Sequence, residues 1–188
     1  TASHVVIATG ARPAVLPGVT VDGERVLTYR EAILQERLPK SVVIVGAGAI
    51  GLEFATVWEA YGAEVTLVEM LPRIAPLEDE EVSKELAKAF SKRGIRALAG
   101  TKVESVEVLK TKVKVTVSGE GGSQTLEGEQ ALLATGFKPN SQELGLEAAG
   151  VIGDWHPCDG PGACGRGDAT APSVTVILMS GARRTCGL

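Results

Sequence analysis

The chain has 188 residues, is 44% hydrophobic and carries a formal net charge of −4. That length can bury one sizeable core with appendages. The acidic balance, with no basic cluster interleaved with aromatics, argues against a nucleic-acid surface. No apolar run reaches the roughly 18 residues that a membrane span needs. No secretory signal is visible, and the chain begins at Thr1 rather than methionine, so the natural start is expected upstream. Cys158, Cys164 and Cys186 all lie in the last 31 residues, with no C-x-x-C pair. A disulfide framework or thiol catalysis in the core is thereby excluded, and a reducing, cytoplasmic setting is expected.

His4–Thr9 reads as a buried strand ending at Gly10. Two prolines and two glycines within Gly10–Gly18 predict an exit loop. A polar connector follows, with a short helix over Tyr29–Gln35, and Pro39 ends it.

Val42–Val45 is apolar on both faces, as a strand buried between two layers must be. The next six residues, Gly46, Ala47, Gly48, Ala49, Ile50 and Gly51, form a G-x-G-x-x-G turn. Gly46 lets the chain leave the strand sharply, Gly48 leaves the backbone open to a pyrophosphate, and Gly51 lets the next helix approach the sheet. That helix, Ile50–Tyr61, places Ile50, Phe54, Val57, Trp58 and Tyr61 on a core-facing stripe, and Gly62 stops it. Its N-terminus offers unpaired N–H groups and about half a positive charge to a phosphate. A second apolar strand ends at Glu69, 18 residues past Gly51, where a dinucleotide's adenosine ribose lies. A 2′-phosphate would meet that carboxylate head-on. Met70 and Leu71 supply no positive charge, and Arg73 lies beyond Pro72, so NAD(H) is favoured over NADP(H). The plainer reading of Glu69 is a solvated acid at a strand's end.

After a loop shaped by Pro72 and Pro76, an amphipathic helix is predicted over Asp79–Arg93, with Val82, Leu86, Ala89 and Phe90 on one face. Acids fill its first turn and Lys92 and Arg93 its last, as the helix dipole prefers. Ile95–Leu98 reads as a further parallel strand. The period then changes to two over Val103, Ser105–Val108 and Val113–Val117, with Gly119, Gly121 and Gly122 marking a tight connection. Gln130–Thr135 returns as a buried strand ending in G-F-K-P-N. The triplet A-T-G occurs both at Ala8–Gly10 and at Ala134–Gly136, each followed by a basic residue and proline. The fold class is α/β: a Rossmann-like parallel sheet with an antiparallel β-meander, flanked by helices.

Five segments taken together resemble the pyridine nucleotide–disulfide oxidoreductase family, most closely its dihydrolipoyl dehydrogenase branch. They are A-T-G-A-R-P at 8–13, G-A-G-A-I-G-L-E-F-A at 46–55, G-A-E-V-T-L-V-E at 62–69, P-L-E-D-E-E-V-S-K-E-L at 76–86 and A-T-G-F-K-P-N at 134–140. The resemblance implies that residues 1–18 leave an FAD domain, that 19–140 form an NAD(H)-binding domain, and that 141–188 are an off-pattern tail. It places the pyrophosphate turn on Gly46–Gly51 and the ribose acid on Glu69. Val103 matches a residue packing near the adenine, and Ile50 one guarding the nicotinamide's approach to the flavin. Glu53 matches an acid that pairs with a lysine of the FAD domain, though a plain helix-surface acid would look the same. Ala8, Thr9, Gly10 and Gly136 would border the flavin. The implied cofactors are NAD and FAD, the partners are the FAD and interface domains, and the parent is a homodimer acting on a lipoyl protein. The family's flavin-binding glycine turn, redox cysteine pair and His–Glu pair do not appear here, so the chain alone is expected to lack catalysis. An NADH oxidase or another reductase of the family is the alternative parent. A stand-alone NAD-binding module without chemistry is a second reading, and a methyltransferase-like fold taking S-adenosylmethionine is a third.

After Gly150 the texture changes: residues 153–167 hold five glycines, two prolines and two cysteines. Gly153–Asp154 and Gly167–Asp168 imitate a flavin-contacting dipeptide without its aromatic strand. One back-translation from Trp155, shifted by a base, gives G-I-P-V-T-D-R-G-R, which suits the family and suggests a frameshift. A metal site from His156, Cys158, Asp159 and Cys164 is a rival that matches no standard zinc spacing. Otherwise the tail reads as Gly/Pro-rich and disordered, although Val174–Met179 could form a strand.

Overall fold

The computed structural model describes residues 5–145 and the strand at 174–176. The chain divides into two compact units, one of Pro13–Gly136 and one drawn from Thr1–Arg12 and Phe137–Leu188. The first unit is built on a parallel five-stranded sheet. Its strands are β3 (Val26–Leu27), β4 (Ser41–Val45), β5 (Glu64–Val68), β6 (Arg96–Leu98) and β10 (Gln130–Leu133), in the order β3-β10-β4-β5-β6. Three helices accompany it: α1 (Tyr29–Leu34), α2 (Ala49–Ala60) and α3 (Glu80–Lys92). Between β6 and β10 the chain forms an antiparallel meander of β7 (Lys102–Val108), β8 (Val113–Gly119) and β9 (Gly122–Gly128).

Alternation along the central strands sends apolar side chains to both faces, which is why β4 reads as an unbroken apolar run. Val42, Ile44, Val65, Leu67 and Leu132 join Ala55, Trp58 and Phe90 in the core under the helices. Their neighbours Val43, Val45, Val68, Ala131 and Leu133 join Val113, Val115, Val117 and Leu126 in the core under the meander. The result is three layers: helices, parallel sheet, meander.

Two readings of the sequence need correction here. The α2 stripe lies further round the helix than its large residues suggest: Gly51, Ala55 and Trp58 are buried, whereas Val57 and Tyr61 are 49% and 74% exposed. Small residues face the sheet because the helix lies too close to it for large ones. Phe54 still packs on Trp58, with ring centroids 5.0 Å apart. On α3, Phe90 is buried but Val82 is exposed, and the buried residue of its first turns is Ser83.

The second unit holds β1 (Val5–Ile7) paired in parallel with β12 (Val174–Val176), and the pair β2 (Ala11–Pro13) with β11 (Phe137–Pro139). β2 stands where an exit loop was expected. Arg12 explains its order: the guanidinium donates to the Pro139 carbonyl at 3.1 Å, Asn140 Oδ1 at 3.0 Å and Gln142 Oε1 at 3.1 Å. The tail's proposed metal ligands and its two Gly–Asp dipeptides lie outside the described residues.

Helix α1 is short, and its N-terminus is closed by a capping box. The Thr28 hydroxyl and N–H donate to Glu31 Oε2 at 2.6 and 2.8 Å. The hydroxyl bond is the main cause holding the Glu31 carboxyl below its ordinary value of 4.5. A lowered carboxyl contributes stability that is complete above its unfolded value and lost as pH falls through the folded one. Urea unfolding from neutral pH downward should therefore show Glu31→Gln less stable than wild type near neutrality, with the two curves converging in acid below 4.5. A gap between them that persists unchanged in acid would contradict the capping account.

Candidate functional site

The turn after β4 is dictated by two close approaches. Gly46 has φ +104, and a Cβ there would collide with the Ala134 carbonyl at the end of β10. A Cβ on Gly51 would collide with the Gly46 carbonyl oxygen, and it would also meet Ile44 Cγ2 at 3.4 Å. Gly48 differs: a Cβ there meets nothing within 4 Å. Gly46 and Gly51 thus make room for protein, and Gly48 opens outward. Gly48 is also the N-cap of α2 and provides no side-chain cap, unlike Thr28 on α1. The first-turn N–H groups of α2 are left without the side-chain acceptor that a Ser, Thr or Asp would give them. The turn lies at the carboxyl edge of the sheet, between β4 and β10. Successive connections from β4 lead away from β10, so this is a topological switch point, where open α/β sheets form their ligand crevice.

Glu69 follows directly on β5 and is only 9% exposed. Its Oε2 accepts from the Ala47 N–H at 2.8 Å, and its Oε1 accepts from the Leu71 N–H at 2.8 Å. Its own backbone joins the next strand region, with its N–H donating to Leu98 O and its carbonyl accepting from Thr101 N–H, both at 2.8 Å. A carboxylate offers about four acceptor positions, so about two remain for hydroxyl donors. Glu69 is therefore a structural member of the turn, which reading it as a ribose ligand alone does not capture.

The β5–α3 loop reaches the turn at a second point. The Ala75 N–H donates to the Ala47 carbonyl at 2.8 Å, and the buried Ser83 hydroxyl donates to the Ala75 carbonyl at 3.1 Å. Nothing in the sequence singled out Ala75 or Ser83; the one local signal is Pro76, which announces a turn without saying what it touches. Met70 and Leu71 are exposed beside Glu69. Arg73, the nearest cation in sequence, donates to the carbonyls of Pro76 and Glu78 at 3.3 and 3.2 Å.

The remaining positions fall as follows. Ile50 is half-buried and Glu53 exposed on α2. Val103 packs on the meander-side core, two residues past the Thr101 that bonds Glu69. Gly136 is exposed beyond β10, and its carbonyl accepts from Ala14 N–H at 2.9 Å. In the second unit Ala8 is exposed, while Thr9 and Gly10 are held by Asn140. The Thr9 hydroxyl donates to Asn140 O at 2.6 Å, and Asn140 N–H donates to Gly10 O at 2.9 Å. The structure thus brings Gly46–Gly51, Glu69 and the Ala134–Gly136 turn to one sheet edge.

Gly46–Gly51 carries only hydrogen or alkyl side chains, so its chemistry is binding: N–H groups for an anion and a carboxylate for hydroxyls. Among the described residues no group of three or more His, Cys, Asp or Glu could hold a metal ion. No described helix is long and apolar enough to cross a membrane.

Comparison with known proteins places the chain in a family. A family model, pyridine nucleotide-disulphide oxidoreductase, matches residues 1–156. A dihydrolipoyl dehydrogenase of Mycobacterium leprae is 50% identical over 151 residues, which cover 80% of this chain and 32% of that relative. Among solved structures, LpdA from Mycobacterium tuberculosis is similar with a TM-score of 0.74 and 32% identity, over 91% of this chain and 36% of that one. A water-forming NADH oxidase from Lactobacillus brevis, solved bound to NADH, gives 0.63 and 26%, over 72% of this chain and 31% of that one. The chain spans about a third of the length of the curated relatives it matches. From the matched model, which runs through the glycine turn, Glu69 and both A-T-G segments, it follows that this chain belongs to the pyridine nucleotide-disulphide oxidoreductase family.

Proposed function

We propose that the Pro13–Gly136 unit binds NAD(H), as the nicotinamide-nucleotide domain of a dihydrolipoyl dehydrogenase-like flavoprotein. The observation that carries this reading is the buried Glu69 carboxylate, bonded to the Ala47 N–H beside the open Gly48. That pairing offers a diphosphate the turn's N–H groups and offers a ribose diol the carboxylate's free acceptor positions. A 2′-phosphate would instead bring negative charge against a buried carboxylate. Arg73 is engaged with loop carbonyls and does not offset that charge. Preference for NAD(H) over NADP(H) follows.

In this reading Gly46, Ala47, Gly48, Ala49 and Gly51 cradle the pyrophosphate, Glu69 holds the ribose, and Val103 flanks the adenine. Ile50 screens the nicotinamide, Glu53 answers a lysine of the FAD domain, and Ala8, Thr9, Gly10 and Gly136 border the flavin. NAD⁺, when bound, supplies the hydride acceptor. The parent reaction converts a dihydrolipoyl group and NAD⁺ to a lipoyl group, NADH and a proton by way of FAD, in a homodimer. The 40–50% identity to dihydrolipoyl dehydrogenases supports this parent over an NADH oxidase, the second reading, which the likeness to the Lactobacillus brevis enzyme favours. No cysteine precedes Cys158, so the dithiol partner of that reaction is sought elsewhere in the parent.

Parallel calorimetric titrations of the chain with NADH and NADPH test the proposal. NADH is expected to bind, and NADPH to bind at least about tenfold more weakly, the loss of one charge-assisted contact being worth that much. Equal or tighter NADPH binding would contradict it. Glu69→Gln should weaken NADH by about ten- to a hundredfold, since hydrogen bonds to a charged group contribute roughly 1.5–3 kcal/mol. An unchanged affinity in this variant removes Glu69 from the site. The chain alone should not turn over dihydrolipoamide in a standard NAD⁺-reduction assay, and measurable turnover would refute its assignment as one domain of a larger catalyst.

A further inference from the structure

Ala75 is the feature that nucleotide binding by itself does not explain. It is buried and has φ +46, in the left-handed region that the Cβ of an L residue disfavours. Three hydrogen bonds meet there. Its N–H donates to the Ala47 carbonyl at 2.8 Å, and its carbonyl accepts from Glu78 N–H at 3.0 Å and from the Ser83 hydroxyl at 3.1 Å. Ser83 is 2% exposed and lies near the start of α3. A serine inside a helix ordinarily points to solvent or bonds the carbonyl four residues back. Here the carbonyl four residues back, that of Asp79, accepts the Ser83 N–H at 2.9 Å, and the hydroxyl is directed off the helix to Ala75. A buried hydroxyl costs stability unless bonded, and alanine would suit the helix better, so the position is explained by what the hydroxyl holds.

What it holds is one bond away from the dinucleotide turn. All described peptide bonds are trans, so the Gly48 N–H points opposite to the Ala47 carbonyl across their shared peptide plane. With that carbonyl drawn to Ala75, the Gly48 N–H is aimed away from the loop, on the residue whose surroundings are open. On the other side of Ala47, its N–H is held by Glu69. Both peptides flanking Ala47 are therefore fixed before a ligand arrives.

We infer that Ser83 is a positioning residue for the dinucleotide turn: its hydroxyl holds Ala75 in the left-handed conformation whose N–H clamps the Ala47 carbonyl and so orients the Gly48 peptide for a diphosphate. The inference rests on the NAD(H)-binding reading of the turn. Ser83→Ala in the full chain should fold and unfold cooperatively, with NADH affinity lowered about three- to tenfold, the range of one neutral hydrogen bond. Adding Ala75→Gly to Ser83→Ala should recover at least half of that loss, because glycine adopts positive φ without the hydroxyl. A role confined to stability would lower the melting temperature and leave the affinity of the folded protein unmoved. Wild-type affinity in Ser83→Ala, or a loss that Ala75→Gly does not recover, overturns the inference. Should Ser83→Ala fail to fold, amide hydrogen exchange on the wild-type chain without ligand decides: a protected Ala75 N–H supports the clamp, and free exchange there overturns it. Failure of the wild-type chain to bind NADH overturns the underlying reading, whereas wild-type binding with an unaffected variant overturns only the role of Ser83.

Discussion

The hydrogen bond from the Ala47 N–H to the Glu69 carboxylate joins the two halves of the nucleotide-type βαβ unit. Ala47 lies just past β4 and Glu69 just past β5, 22 positions later, so the bond ties the ends of the two strands together. Burial makes the bond matter: a carboxylate at 9% exposure must be satisfied by donors, and its two described donors are backbone N–H groups of adjacent turns. The same oxygens therefore define the shape of the turn and present charge at its rim. The Gly46 and Gly51 contacts follow from this closeness, since α2 can start where it does only if neither residue carries a Cβ.

The layered core packs both faces of the sheet behind that edge. The central strand β4 is covered by helices on one face and by the meander on the other. The meander occupies the place a crossover helix would take on the way from β6 to β10. β10 then lies beside β4, so the Ala134 carbonyl backs Gly46 and the second A-T-G segment comes to the same edge as the glycine turn. Val45 on β4 and Leu133 on β10 are register partners from distant parts of the sequence, and they lie at the strand ends that create one crevice.

Much of this was legible in the sequence, and the reasons are specific. Apolar runs at Val42–Val45 and Gln130–Leu133 announced buried strands because a two-sided core leaves no polar alternation. The glycine turn was legible because Gly46 and Gly51 each have a steric cause, while Gly48 stands open. The burial face of α2 was not, since large side chains suggested a stripe while the closeness of helix to sheet selected Gly51 and Ala55. β2 was hidden by its proline and glycine neighbours, because its order comes from Arg12 contacts more than 120 residues away. Ala75 and Ser83 were invisible for a similar reason. An alanine at positive φ leaves no compositional trace, and a buried serine in an amphipathic helix looks like part of the polar face.

Gly46–Gly51 and Glu69 are proposed to form one pre-shaped NAD(H) site. The most direct measurement is a two-dimensional amide NMR titration of the isotope-labelled chain with NADH. The largest shift changes are expected on Gly46–Gly51 and on Glu69–Leu71, with the meander strand β9 unmoved. Saturable shifts concentrated elsewhere, with the glycine turn silent, would contradict it.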